Sequence, residues 1–423
     1  MNVQSNEQNV RRRAGLLFSI FFFSLAFIFA QEPHRDIPAE LSLSQAVETA
    51  LAGHPDILLA REEVKAASAR RMQMGARLDP RLSVGTAGIP WTFKSGEVET
   101  EYFLGIEQAF EFPGRRSARV EIARNDEDAA SLEIEHIGLL VTTKVKKAYY
   151  RAVLSERTLQ ATESLSGLLD RFLEAMTIRF ESGDAAYGDI LRTRIEKARL
   201  QNRLIEARRE RAAARSELLL LLGIPSDNPV QLTDDLTFRP FGSSLEQVLE
   251  SAKTSRPSMR LARLRESRAA AEIRQASLAG KPDFEAGLFI PSKNIRGWGF
   301  SLGLSLPLSK VRAEGLRTEA AASREKGLIR TSALVRRIAV LIGAAYEDAR
   351  AAEEQVKVFE QKLLGEIEAE IRNGLEQYRL GRIEAYSLID LFRSLSEARI
   401  EHLNALYLYA VALAEMETAG EEF

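Results

Sequence analysis

Between Pro282 and Leu308 the chain alternates, with Trp298, Phe300, Leu302, Leu304 and Leu306 on one parity and Gly299, Ser301, Gly303 and Ser305 on the other. Period-two alternation of this kind predicts a strand with one apolar face. Upstream, Phe284, Ala286, Leu288 and Ile290 alternate with Asp283, Glu285 and Gly287, and Pro291, Ser292, Lys293, Asn294 and Gly297 lie between the two runs as turn residues. The result is a hairpin of strands about ten residues long, the length with which a tilted strand crosses a bilayer. A lone hairpin is marginal in water and an open edge is excluded in lipid, so the pattern calls for more strands.

A second copy supplies them. A shift of 202 positions lays Ser42, Leu43, Gln45, Glu48, Ala50 and Pro55 on Ser244, Leu245, Gln247, Glu250, Ala252 and Pro257, and likewise Pro80 on Pro282 and Gly85 on Gly287. Past the hairpin the shift is 198, which lays Leu104 and Gly105 on Leu302 and Gly303, and Gly183 on Gly381. The chain reads as a tandem duplication whose unit is helix, hairpin, long helix, turn, helix. The predicted divisions are a leader over 1–30, a first copy over 31–223, a linker or equatorial segment over 224–243, and a second copy over 244–423. Strands are expected within about 81–110 and 283–307, and helical hairpins over about 117–222 and 312–419.

Elsewhere the apolar period is helical. Leu43, Ala46, Val47, Ala50 and Leu51 follow a cap at Ser42 or Ser44; Pro55 then bends or splits the helix, which resumes to about Arg77. From Ser117 to Glu181 there is no proline, predicting a helix of roughly 95 Å at 1.5 Å per residue. Its counterpart is expected unbroken from about Arg312 to Arg379, with an apolar stripe through Val356, Phe359, Leu363, Ile367, Ile371, Leu375 and Tyr378. Each long helix ends at a glycine turn, Gly183–Asp184 or Gly381–Arg382, and a returning helix follows antiparallel. Gly183 and Gly381 are expected at positive φ, and Tyr187 and Tyr386 either pack the tip or, the reading preferred here, lie in the core.

Composition narrows the classes. Arg11, Arg12 and Arg13 precede an uncharged apolar run from Leu16 to Ala30, which suits a cleaved export signal better than a membrane anchor of about twenty residues. Removing 1–30 takes away three Arg and one Glu, leaving a formal charge of about −4 and no basic field for nucleic acid. The sequence has no cysteine, so disulfides, thiolate metal sites and a lipidated N-terminal cysteine are excluded. His34, His54, His136 and His402 show no ligand spacing, and neither a phosphate loop nor a nucleophile elbow is present. No catalytic residue, metal ligand or cofactor is expected. Four strands do not close a barrel, for which about eight are the minimum, so the chain is expected to oligomerise.

The segments LSLSQAVETALAGHPDI (41–57), LEQVLESAKTSRPSM (245–259), EQAFEFPGRR (107–116), GDAAYGDILRTR (183–194) and GRIEAYSLIDL (381–391) stand in an order that resembles the TolC family of outer-membrane efflux proteins. The resemblance implies a mainly α fold with a small β part: a homotrimer whose shared 12-stranded outer-membrane β-barrel continues into a periplasmic α-helical coiled-coil tunnel. It implies a passive exit duct of a tripartite pump, in contact with outer-membrane lipid, a periplasmic adaptor and an inner-membrane transporter. FEFPGRR looks most like members serving heavy-metal cation pumps; drug efflux and type I protein secretion use the same duct, and a non-membrane periplasmic coiled-coil scaffold is the rival. The resemblance further implies a gate at the closed end, with Asp390 first and Asp189 second as pore residues that attract cations, and adaptor docking at Gly183, Asp184, Gly381 and Arg382. Asp184 and Arg382 depart from the small apolar residues usual after the glycine.

Overall fold

The computed structural model describes residues 39–87, 101–225, 228–291, 297–359 and 361–421. The expected leader at 1–30 and the turn expected at Ser292–Asn294 lie outside these residues. The chain divides into a small unit, Met1–Glu40 with Pro229–Gln231, and a large one, Leu41–Asn228 with Leu232–Phe423. Within the small unit the described contact is the backbone bond from Gln231 to Ala39, at 2.9 Å.

In the large unit each copy starts with the same short helix pair. Helix α1 (Leu43–Gly53) opens on a capping box in which Ser42 accepts from the Gln45 N–H and the Gln45 side chain accepts from the Ser42 N–H. Helix α2 (Pro55–Gly75) follows, with Pro55 in its first turn and His54 as both the end of α1 and the cap of α2. The proline thus splits the helix rather than bending it, and α2 ends at Gly75, not Arg77. Strands β1 (Arg81–Ala87) and β2 (Glu101–Phe110) lead into helix α3 (Arg115–Glu181), 67 residues without a break, and the returning helix α4 (Tyr187–Leu222).

The second copy repeats this as α5 (Leu245–Ser255, with a Ser244–Gln247 capping box), α6 (Pro257–Ser277), β3 (Asp283–Pro291) and β4 (Gly299–Ser305). Its long helix is not continuous: α7 (Lys310–Val358) stops and α8 (Gln361–Arg379) begins anew before α9 (Ala385–Thr418). No proline or glycine stands at that break. Phe359 leaves helical geometry at φ −92°, ψ 49°, its N–H bonds to Val356 O at 3.1 Å, and its ring meets His402 of α9 at 6.3 Å.

The four strands form one antiparallel sheet in the order β1-β2-β3-β4. The two hairpins meet at β2 and β3, where Ile106 pairs with Leu288 and Glu107 with Gly287. At the helical end of the sheet Phe112 N–H donates to Asp283 at 2.8 Å, and Arg115 binds the same carboxylate and the carbonyl of Lys281. From Asp234 on, the linker residues of the large unit pack on its helices: Asp234 accepts from Leu43 N–H, the Phe238 ring meets Tyr409 at 5.2 Å and the Phe241 ring meets Tyr346 at 5.6 Å, while Tyr149, fully buried, donates to Leu41 O. The C-terminal turn is equally fixed. Glu421 is buried among His136 at 2.9 Å and the Ser258 hydroxyl at 2.8 Å, and Arg256 donates to the last carbonyls of α9.

Candidate functional site

The two glycine turns have one construction. Gly183 (φ 82°) accepts no Cβ conformationally, its N–H bonds to Phe180 O, and Asp184 N–H reaches Arg179 O at 2.8 Å. Gly381 (φ 71°) bonds to Tyr378 O, and Arg382 N–H to Gln377 O at 2.9 Å. Both are Schellman closures, which need a left-handed residue just past the helix end and so select glycine. Asp184 and Arg382 stand exposed on these turns.

The residues around the turns are not equivalent. Tyr378, 2% exposed, packs edge-on against Phe172 at 5.2 Å, whereas Phe180, which the 198-residue shift lays on Tyr378, is 40% exposed. Burial raises the Tyr378 pKa above the ordinary phenol value. Arg179 ties the turns together, donating to Tyr378 O at 2.8 Å and Asp184 O at 3.0 Å with its guanidinium 4.8 Å over the Tyr378 ring. Tyr187 and Tyr386 are exposed, contrary to the core expectation. They sit on the first turn of α4 and α9, where little protein overlies them, and Tyr187 leans on Phe180 at 5.9 Å.

Behind the turns, α3, α4, α8 and α9 share an apolar cluster that includes Leu169, Phe172, Met176, Ile190, Tyr378, Leu388 and Phe392. On α9 the buried positions Leu388, Ile389 and Phe392 leave Asp390 exposed, and Asp189 on α4 is half-buried. Near the turns a charged contact bridges the copies: Glu196 of α4, buried, accepts from Arg393 of α9 at 2.6 Å and from its own helix's Arg199 at 3.3 Å. The bond from Arg393 lowers the Glu196 pKa below the ordinary carboxylate value. Arg203 of α4 adds a 3.3 Å bond to Ser396. Sequence reasoning missed Arg179, Glu196 and Arg393, because the shift that reveals the duplication lays them on Gln377, Ser394 and Ile195.

At the sheet end, one face carries Leu82, Val84, Leu104, Ile106, Leu288, Ile290, Trp298, Phe300, Leu302 and Leu304, between 48% and 78% exposed. A continuous apolar face of this size marks contact with a partner or with lipid. Among the described residues no helix is long and apolar enough to cross a membrane, and no group of three His, Asp or Glu is placed to hold a metal ion.

Residues 46–224 match the outer membrane efflux protein family. No curated protein matches the chain. Among solved structures it is similar to CusC, described for its folding and transmembrane channel formation (20% identity, TM-score 0.73, covering 89% of this chain and 91% of that one). It is similar to the outer membrane protein VceC of Vibrio cholerae (18%, 0.70, 90% and 97%) and to the open state of the MtrE outer membrane channel of Neisseria gonorrhoeae (18%, 0.72, 90% and 88%). At these identities the likeness is one of fold.

Proposed function

We propose that this chain, of which residues 46–224 match the outer membrane efflux protein family, is the passive exit duct of a tripartite pump, a homotrimer whose sheets close one 12-stranded barrel in the outer membrane. A single observation carries this: a sheet with one exposed apolar face and open edges at β1 and β4 is joined in one unit to a helix of 67 residues. In lipid both edges must be paired, and copies of the same chain supply the partners. The helical hairpins continue the barrel into the periplasm. The glycine turns with Asp184 and Arg382 dock a periplasmic adaptor, which links the duct to an inner-membrane transporter. Asp390, with Asp189 behind it, lines the closed end, where three copies of a carboxylate attract cations. Heavy-metal cations are the class to which FEFPGRR points, with drugs or secreted proteins as the alternatives; the duct does no chemistry and draws energy from the pump.

The test is gel migration of membrane-extracted protein with and without heating, after separation of inner and outer membranes. A heat-labile trimer in the outer membrane is expected, and Leu302→Arg should abolish it, since a cationic side chain at mid-bilayer on the lipid face costs about 2–4 kcal/mol. A soluble species indifferent to Leu302→Arg would leave a periplasmic scaffold instead. For the gate, Asp390→Ala should raise single-channel conductance and relieve cation block; unchanged values would remove Asp390 from the pore.

A further inference from the structure

The sheet face opposite the leucines is built to a rule. Four of its large side chains, Phe103, Glu107, Glu285 and Phe289, each lie over a glycine of the neighbouring strand. A Cβ added at Gly85 would come within 2.6 Å of the Phe103 ring, and one at Gly287 within 2.9 Å of the Glu107 chain. One at Gly299 would collide with the Phe289 ring, and one at Gly303 would press on Glu285 at 3.3 Å. The glycines are therefore cradles that let four side chains lie along the sheet in set positions. Phe103 and Phe289 meet edge-on, with centroids 6.3 Å apart at 69°.

The register orders these groups along the strands. Phe103 stands opposite Gly85 and Pro291, then Phe289 opposite Gly105 and Gly299, then Glu107 opposite Arg81 and Gly287, then Glu285 opposite Gly303. Arg81 stands opposite Glu107 and Arg115 binds Asp283 at the helical end, whereas Glu285 stands opposite Ala109 and Gly303, with no basic residue across from it in the register.

We propose that Phe103, Phe289, Glu107 and Glu285 form a binding site for organic cations in the lumen of the duct, rings at the outer end and carboxylates beneath. The site rests on the duct reading: with the leucine face in lipid, this face is the one left to water. A phenyl face attracts a weakly hydrated cation and stacks on its apolar groups, whereas a hydrated metal ion keeps its water and senses only the carboxylates. Three chains would set six rings above six glutamates. Each contact is weak enough for cargo to leave, as conduction requires.

The test is the potassium current through the purified full-length protein in planar bilayers, with tetraphenylphosphonium as organic cation and Mg2+ as hydrated one. Tetraphenylphosphonium should reduce the current of the parent. In the F103L/F289L double variant, which keeps side-chain bulk, the half-blocking concentration should rise about tenfold with potassium conductance and Mg2+ block unchanged. E285Q should weaken block by both cations. Equal tetraphenylphosphonium block in parent and double variant, or no block of a conducting parent, overturns the site and leaves the duct intact. A parent that forms no channel overturns both.

Discussion

The two copies keep the same turn and use it in different surroundings. Gly183 and Gly381 close their helices with matching bonds and positive φ, yet Phe180 faces solvent where Tyr378 is buried, and α3 runs unbroken where α7 gives way to α8 at Phe359. Glu196 and Arg393 hold the copies to each other through positions whose equivalents are Ser394 and Ile195. Backbone demands are local and survive duplication. Packing roles are set by which neighbour each copy meets, and there the copies have diverged.

Truncating the aromatic pair should separate the copies most. Tyr378→Ala empties a buried, ring-packed site and should lower stability by about 3–5 kcal/mol, against roughly 0.5–1 kcal/mol for Phe180→Ala, read from urea midpoints of the helical signal. Equal midpoints would mean the tips are interchangeable. Next, Arg393→Ala withdraws the shorter of two bonds to a buried carboxylate and should cost about 2 kcal/mol, while Ile195→Ala, on an exposed side chain, should stay within about 0.5 kcal/mol. The glycines should restore the symmetry: Gly183→Ala and Gly381→Ala each force a Cβ into left-handed geometry and should lose about 1–2 kcal/mol alike.

The smallest effect is on pH dependence. Because Arg393 holds the Glu196 pKa below the ordinary carboxylate value, its contribution is present in full above the unfolded pKa of about 4.3 and is lost as pH falls through the folded value. The midpoint gap between parent and Glu196→Gln should be constant from pH 7 to about 5 and close below about 4. A gap that widens on acidification would mean that the pair does not hold in solution.

How far the sequence reached depends on the range of the interaction. The alternation from Trp298 to Leu306 marked the face that the structure leaves exposed, and the capping box at Ser42 and the chain reversals at Gly183 and Gly381 follow from residues within five positions of each other. The core reading of Tyr187 and Tyr386 failed because aromatic character says nothing of which helix end lies open, and the Phe359 break carries no proline or glycine that would announce it.

By itself the sequence determined the repeated order of helix, hairpin and long helices, the parity of the strands and the glycine turns, since each is written in spacings the backbone reads locally. Only the tertiary structure decided that β2 pairs with β3, that Tyr378 and not Phe180 is covered, and that Glu196 finds Arg393. A duplicated chain presents two near-equivalent partners for each contact, and which one is used depends on the packed arrangement of helices from both copies.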